Sequence, residues 1–349
     1  MSQGSPLAYT ALRIQPRADL NQEIPLPRPF RIDIEPTNKC NFHCTMCPES
    51  RPDYRSAAGY YQDMTPETFD HIVDDLVTWG KIKSLKFYNV GEPLLNRHLP
   101  AMIRQATDAG IAERTELTTN LSVLTEASAR ALVRSGLDYV RISIYGLDPE
   151  QHRRITGNPI TPEQIREKAR MFRQIRSDER SPTPRLFAKC FATNAEEVQR
   201  FYELYAAGVV DETGVETLHN WGNGMVQLDQ GKQEPNQTPC AAPFYSLAIH
   251  ANGDVSPCCV DWQSQLKIGN VNQTHLWQIW NSHALERIQI KHLSGQRPEL
   301  SACAHCTQTY PDQITADPTG YLERRSARRY PKPQDESFSS SYAFLPTQA

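Results

Sequence analysis

Residues 31–50 read RIDIEPTNKCNFHCTMCPES, and they place three of the chain's 9 cysteines, Cys40, Cys44 and Cys47, inside eight residues. The first five, RIDIE, have the make-up of a short β-strand. The spacing that follows is C-x3-C-x2-C, in a loop that leaves the strand at its C-terminal end. A structural zinc site needs four ligands, and the one nearby candidate, His43, sits directly beside Cys44, where both cannot easily chelate one ion. Three thiolates in one loop suit a 4Fe-4S cluster better, because each iron takes one ligand and one iron stays open for a further molecule.

The flanking chain gives this loop a scaffold. Further strand-like runs are SLKFYN (84–89), RTELTT (114–119), YVRISIY (139–145), RLFAKCFAT (185–193) and VETLH (215–219), with helical patterns between them, the alternation of parallel βαβ units. Thr65 followed by Pro66 opens one helix, with Phe69, Ile72, Val73, Leu76 and Val77 as its apolar stripe. Thr125, Thr161 and Asn194 read as further N-caps, and Gly110, Gly136 and Gly208 as C-terminal stops. Six right-handed βα units make a partial barrel with an open side, and sites on such barrels lie at the C-terminal ends of the strands.

Alternation within strands assigns side chains to faces. In the fourth strand Val140, Ile142 and Ile144 should face the helices. Tyr139, Arg141, Ser143 and Tyr145 should then face the barrel interior, and in the fifth strand Lys189 points in while Cys190 packs outward among small residues. An interior of this kind suits a polar ligand.

The 349 residues carry 37 basic and 40 acidic side chains, a formal charge of -3, so no overall field marks a nucleic-acid or acidic-membrane partner. At roughly 150 residues per domain the length suggests two domains. The opening residues lack a basic segment followed by an apolar one, and no run of about 18 apolar residues occurs, so we expect a cytoplasmic protein with no membrane partner. In that reducing compartment clustered cysteines serve metals or chemistry more often than disulfides.

The expected domains are an N-terminal extension (1–30), the barrel (31–220), a smaller domain with Cys240, Cys258, Cys259, Cys303 and Cys306 (221–310), and a polar tail (311–349) expected to be disordered. RRSARR (324–329), just before the end, reads as a solvated helix end.

With Cys40, Cys44 and Cys47 after the first strand of a βα barrel, the chain resembles the radical S-adenosylmethionine (radical SAM) superfamily. The resemblance implies an α/β fold, a partial (β/α)6 radical SAM barrel with a small C-terminal SPASM/twitch iron-sulfur domain. It implies that S-adenosylmethionine chelates the open iron through its amino and carboxylate groups. Reduction, by a flavodoxin or ferredoxin-type partner, then releases a 5'-deoxyadenosyl radical that abstracts a substrate hydrogen.

Residue by residue, the YNVGEP segment resembles the family's Gly-Glu motif, giving Gly91 close backbone approach and Glu92 the methionyl ammonium. Asn120 after TTN matches a ribose contact, Ser143 the serine of the fourth strand, and Arg154 a candidate for the carboxylate. Met46 departs from the pattern, where the family carries an aromatic.

The later cysteines resemble the shorter auxiliary-cluster extension, with Cys240, Cys258, Cys303 and Cys306 holding a second 4Fe-4S cluster; zinc remains open on spacing alone. Cys259, beside Cys258, is a candidate hydrogen-atom donor.

A fully ligated auxiliary cluster suits electron acceptance, so the expected reaction is dehydrogenation of a sugar, aminocyclitol or similar small polar metabolite. The spacing resembles 2-deoxy-scyllo-inosamine dehydrogenase-like enzymes. Epimerisation, dehydration, decarboxylation and peptide maturation follow from the same first radical, and a non-catalytic electron-transfer protein is the reading from another class. Tyr88, Arg141, Tyr145, Lys189, His219 and Trp221 are the substrate-pocket candidates.

Overall fold

A computed structural model describes residues 19–191, 194–206, 208–216, 218, 220–221, 235–308 and 314–327. Its spine is one nine-stranded sheet with the order β6-β5-β4-β3-β2-β1-β7-β8-β9. The strands are β1 (Arg31–Ile34), β2 (Ser84–Phe87), β3 (Thr115–Thr119), β4 (Tyr139–Ile144), β5 (Arg185–Cys190), β6 (Glu212–Val215), β7 (Ser246–Ile249), β8 (Asp254–Ser256) and β9 (Gly269–Asn270). β1 to β6 run parallel to their neighbours and the sheet does not close, which is the partial barrel expected from the βα rhythm.

Helices cover the outer face. They are α1 (Leu20–Glu23), α2 (Tyr54–Ala58), α3 (Pro66–Trp79), α4 (Leu99–Asp108), α5 (Glu126–Arg134), α6 (Pro149–Thr156), α7 (Pro162–Asp178), α8 (Ala195–Tyr205), α9 (Ala242–Tyr245), α10 (Leu276–Trp280), α11 (His283–Leu293) and α12 (Pro318–Ala327). The side-chain oxygens of Thr65, Thr125, Thr161 and Asn194 each accept from the third residue onward, so all four expected N-caps form. Ile32, Leu85, Phe87, Leu117, Val140 and Ile142 are completely buried beneath these helices. Each such side chain contributes about 1.5–3 kcal/mol relative to exposure. In α3, Val77 is exposed rather than part of the apolar stripe, and Trp79 is buried in its place.

Three expectations need correction. The sixth strand lies at Glu212–Val215, paired in register with Phe187 to Cys190, three residues before the expected VETLH. It is a half-exposed edge strand with too little apolar alternation to fix its position. The segment assigned wholly to the second domain supplies β7, which pairs parallel to β1 in register from Arg31↔Ser246 to Ile34↔Ile249 and extends the barrel sheet. The expected tail includes α12, whose Tyr321 is fully buried and donates to Gln289 Oε1 at 2.7 Å. RRSARR begins at the end of that helix, where Arg325 pairs with Glu286 at 2.8 Å. Leu20, Ile24 and Leu26 of the N-terminal extension are core residues, and Trp280 Nε1 donates to the Leu26 carbonyl at 3.0 Å.

Among the described residues no helix is long and apolar enough to cross a membrane.

Candidate active site

The loop after β1 is held from three sides. Asn38 donates to the Tyr60 carbonyl at 2.8 Å and accepts from Gln62 N at 2.9 Å. The amides of His43 and Thr45 donate at 2.8 Å to the carbonyls of Thr156 and Ile155, at the C-terminal end of α6. A Cβ on Gly91 would collide with the carbonyl oxygens of Thr37 and Lys39, so the close approach this glycine permits is to the cysteine loop's own backbone. The loop thereby brings Cys40, Cys44 and Cys47 to one end of a cavity of about 440 Å³ at the C-terminal ends of the strands.

Burial raises all three thiols, and for Cys44 the charges of Cys47 and Cys40 raise it further; Cys47 is pushed up to about 12. Three buried thiols that repel one another as anions suit a positively charged centre that displaces their protons. His43 turns away, 64% exposed, and pairs with Glu49 at 2.7 Å, so it is not a fourth ligand in this arrangement.

Among the described residues no three His, Cys, Asp or Glu side chains form a site for a single metal ion. A cubane takes one thiolate per iron and so calls for wider spacing than one tetrahedral ion does.

Glu92 lies in the same cavity wall, 2% exposed. Its Oε1 accepts from Thr119 at 2.6 Å and Leu94 N at 3.0 Å, and its Oε2 from Asn120 N at 2.7 Å. Burial nevertheless pushes it up to about 7. A fixed, buried carboxylate with a lone pair to spare is a receptor for an ammonium group.

Asn120 and Ser143 also line the cavity, although the Asn120 amide is already engaged with Asn41 and Ser122. Arg154 does not: it is exposed on α6, beyond the cavity wall.

The cavity is also walled by Arg31 of β1, Lys86 of β2, Arg141 of β4 and Lys189 of β5, with Tyr88, and with Tyr145, which lies near enough to the three cysteines for their charges to act on it. Ion pairs fill this interior. Arg31 meets Asp33 at 3.1 Å, Lys86 meets Glu116 at 3.0 Å, Lys189 meets Glu216 at 2.9 Å, and Arg141 reaches Glu216 as well. Burial disfavours the Glu116 charge, yet Lys86, Arg114 and Arg141 together outweigh it and hold the carboxyl at about 2.

Tyr145 stacks on Phe191, with ring centroids 5.9 Å apart. The Tyr88 hydroxyl stands 3.0 Å from Cys259 Sγ and 3.2 Å from Asp33 Oδ2, so its single proton can go to either. Cys259 and Trp221 line the cavity too, whereas His219 lies outside the described residues.

Sequence reasoning missed Arg31, Lys86, Phe191 and Glu216. The strand parity used for Arg141 and Lys189 was the available signal for the first two: Arg31 and Asp33, and Lys86 and Tyr88, alternate with buried apolar residues.

The later cysteines form a second, smaller site. Cys240, Cys258, Cys303 and Cys306 line one cavity of about 20 Å³ together with His292 and Arg297. Arg297 is 3% exposed and donates to the carbonyls of Thr238 (2.8 Å), Cys303 (3.2 Å) and Cys306 (3.1 Å). Its described hydrogen-bond acceptors are neutral. A buried guanidinium in that setting calls for an anion beside it, and four thiolates around a metal cluster supply one. Cys258 lines this cavity while its neighbour Cys259 lines the larger one, and Gln308 lines both.

Residues 34–181 match the Radical SAM superfamily, and residues 240–307 match SPASM, an iron-sulfur cluster-binding domain. The chain thus carries a radical SAM domain and a SPASM domain; its cofactors are S-adenosylmethionine and iron-sulfur clusters.

Among curated proteins it is 30% identical over 162 residues to dTDP-4-amino-4,6-dideoxy-D-glucose ammonia-lyase of Streptomyces venezuelae, covering 44% of this chain and 31% of that one. It is 36% identical over 131 residues to a probable GTP 3',8-cyclase of Methanococcus maripaludis, covering 37% and 40%. The chain thus spans less than half the length of these relatives.

Among solved structures, BtrN in complex with AdoMet and 2-DOIA superposes with a TM-score of 0.55 at 17% identity, over 82% of this chain and 95% of that one. SuiB of Streptococcus suis, bound to the precursor peptide SuiA, gives 0.60 at 14%, over 76% and 67%. These likenesses share a fold and differ in ligand, so the fold does not choose the substrate.

Proposed function

We propose that this protein oxidises a small polar metabolite of the sugar, aminosugar or aminocyclitol type. In this reading Cys40, Cys44 and Cys47 hold the 4Fe-4S cluster that binds S-adenosylmethionine. Glu92 receives the methionyl ammonium, and Asn120 and Ser143 border the nucleoside. Cys240, Cys258, Cys303 and Cys306 hold a second 4Fe-4S cluster. When bound and reduced by a flavodoxin or ferredoxin-type partner, the first cluster with its S-adenosylmethionine supplies the 5'-deoxyadenosyl radical that starts the reaction.

The observation that carries the reading is the continuity of one cavity from the three cysteines to the ion-paired floor at Arg141, Lys189 and Glu216. Hydroxyl or amino groups of a substrate find donors and acceptors there, and little of the floor suits an apolar ligand. Removing a hydrogen atom from a C–H next to a hydroxyl or amine, then its O–H or N–H proton, leaves one electron to be passed on. Cys258 and Cys259 are chain neighbours on the two cavities, which gives that electron a short route to the auxiliary site. The net change is a two-electron oxidation to C=O or C=N.

A second reading rests on Cys259, whose thiol borders the substrate cavity beside Tyr88. A hydrogen atom returned from Cys259 to the opposite face of the substrate radical makes the reaction an epimerisation; the thiyl radical left on Cys259 would take one electron from the flavodoxin or ferredoxin-type partner by way of the auxiliary site and one proton from solvent to restore the thiol.

Turnover of candidate aminosugars and aminocyclitols by the reconstituted enzyme in deuterated solvent tests both readings. Oxidation predicts a carbonyl or imine product, reduced auxiliary cluster and turnover in Cys259→Ala. Epimerisation predicts one solvent deuteron at the inverted carbon, lost in that variant although S-adenosylmethionine is still cleaved. Absence of 5'-deoxyadenosine with every candidate would count against both.

A further inference from the structure

His292, near the C-terminal end of α11, is completely buried and lines the cavity of Cys240, Cys258, Cys303 and Cys306. Its Nδ1 accepts the backbone amide of Cys240 at 3.2 Å. A ring nitrogen that accepts carries no proton, so the neutral imidazole has its N–H at Nε2. That Nε2 is buried and has no hydrogen-bond partner among the described residues. A buried donor without an acceptor costs about 1–3 kcal/mol. A site lined by four thiol sulfurs is where this donor would find its acceptor.

We propose that His292 donates its Nε2–H to a sulfur of the auxiliary cluster, either a bridging sulfide or a cysteine thiolate, and thereby raises that cluster's reduction potential. The proposal rests on the reading that these four cysteines hold a 4Fe-4S cluster. An added electron makes the sulfurs more negative, so a donor fixed against them stabilises the reduced cluster more than the oxidised one. Arg297, on the following turn, acts in the same direction through its charge while its hydrogen bonds hold the carbonyls of Cys303 and Cys306. The amide of Cys240 fixes the tautomer, so the backbone of one ligand orients the imidazole that serves the group it helps to bind. His292 is a positioning and tuning residue; it touches no substrate.

The test is an anaerobic redox titration of the reconstituted full-length protein followed by electron paramagnetic resonance. The signal unaltered by S-adenosylmethionine reports the auxiliary cluster. In His292→Leu the ratio of reduced to oxidised auxiliary cluster, at the potential where the wild type is half reduced, should fall about tenfold, as expected for loss of a hydrogen bond to a charged acceptor. His292→Gln, which keeps an N–H donor, should recover much of the difference. An unchanged midpoint in His292→Leu, with wild-type iron content, overturns the proposal.

Pulsed resonance on the wild type with 15N-labelled histidine, exchanged into deuterated water, gives an answer even where a variant fails to load. A coupled exchangeable deuteron with a weakly coupled nitrogen is expected. A strongly coupled nitrogen would make His292 a ligand, and the absence of both couplings would remove it from the cluster; either result overturns the proposal. Failure of the underlying reading looks different: the wild type would load about four irons instead of about eight and show only the signal that S-adenosylmethionine alters.

Discussion

At the scale of single residues, Glu92 shows how a carboxylate is prepared for a cation before any cation arrives. Three donors fix its two oxygens while burial, the larger influence, raises its affinity for a proton to about 7. An ammonium beside it would reverse that balance by favouring the charged form. Glu92→Gln keeps the shape and removes the charge, so S-adenosylmethionine affinity should fall about 10- to 100-fold, the range of a hydrogen bond to a charged group. The pH dependence has a fixed sign. Binding needs the carboxylate, so wild-type affinity should weaken as pH falls through about 7, and Glu92→Gln should lose that acid-side slope. Equilibrium dialysis of the cluster-loaded protein across this range measures both effects; equal slopes in the two proteins would remove Glu92 from ammonium binding.

At the scale of strands and helices, alternation carries most of the site, and β3 shows what it costs to line a barrel with charge. Glu116 stays ionised only because Arg114, just before its own strand, and Lys86 and Arg141, on the two neighbouring strands, reach it. Its folded value of about 2 lies below the ordinary 4.5, so its contribution to stability is complete above pH 4.5 and is lost as pH falls through 4.5 towards about 2. The span corresponds to on the order of 3 kcal/mol, an upper figure because the same burial lowers Lys86. Glu116→Gln should unfold at lower denaturant at neutral pH and show a flatter acid-side dependence than wild type; parallel denaturant curves down to pH 3 would contradict this.

The sequence disclosed these elements unequally, for physical reasons. The cysteine spacing and the caps at Thr65, Thr125 and Thr161 are local signals, complete within four to eight residues. Arg141 and Lys189 followed from alternation in long, apolar-backed strands. Glu216 follows directly on the short edge strand β6, whose ETGV gives no apolar alternation to set a register, and so it escaped. The pairing of β7 with β1 joins residues more than 200 positions apart, and nothing near Ser246 announces a neighbour at Arg31. The partner of His292 Nδ1 is a backbone amide 52 residues away, equally invisible to periodicity.

At the scale of the whole molecule, the auxiliary segment is part of the barrel as well as a cluster carrier. β7 covers one edge of β1, the strand that feeds the cysteine loop. Asp75 of α3 accepts from Leu276 N at 2.6 Å and meets His275 at 3.1 Å, joining the start of α10 to the barrel's helical layer. A further chain of side chains leads from the end of β1 to Asp261 in the lining of the smaller cavity. Tyr60 donates to Glu35 at 2.5 Å and lies 3.0 Å from His250 Nδ1; His250 Nε2 lies 3.3 Å from Ser256, which donates to Asp261 at 2.9 Å.

Losing the second cluster and losing the segment that binds it should therefore differ. Cys240→Ala with Cys303→Ala should yield a folded, soluble chain with about four irons that still cleaves S-adenosylmethionine without completing substrate oxidation. Truncation after residue 239 removes β7, exposes the edge of β1 and uncovers the flank of α3 at Asp75 and Thr78 that meets the start of α10, so it should give an aggregating protein that fails to assemble even the first cluster. Circular dichroism melting, iron content and 5'-deoxyadenosine release distinguish the two. A truncated chain that stayed monomeric and cleaved S-adenosylmethionine at the rate of the double variant would show that the barrel is complete without β7, and that the SPASM segment serves only its cluster.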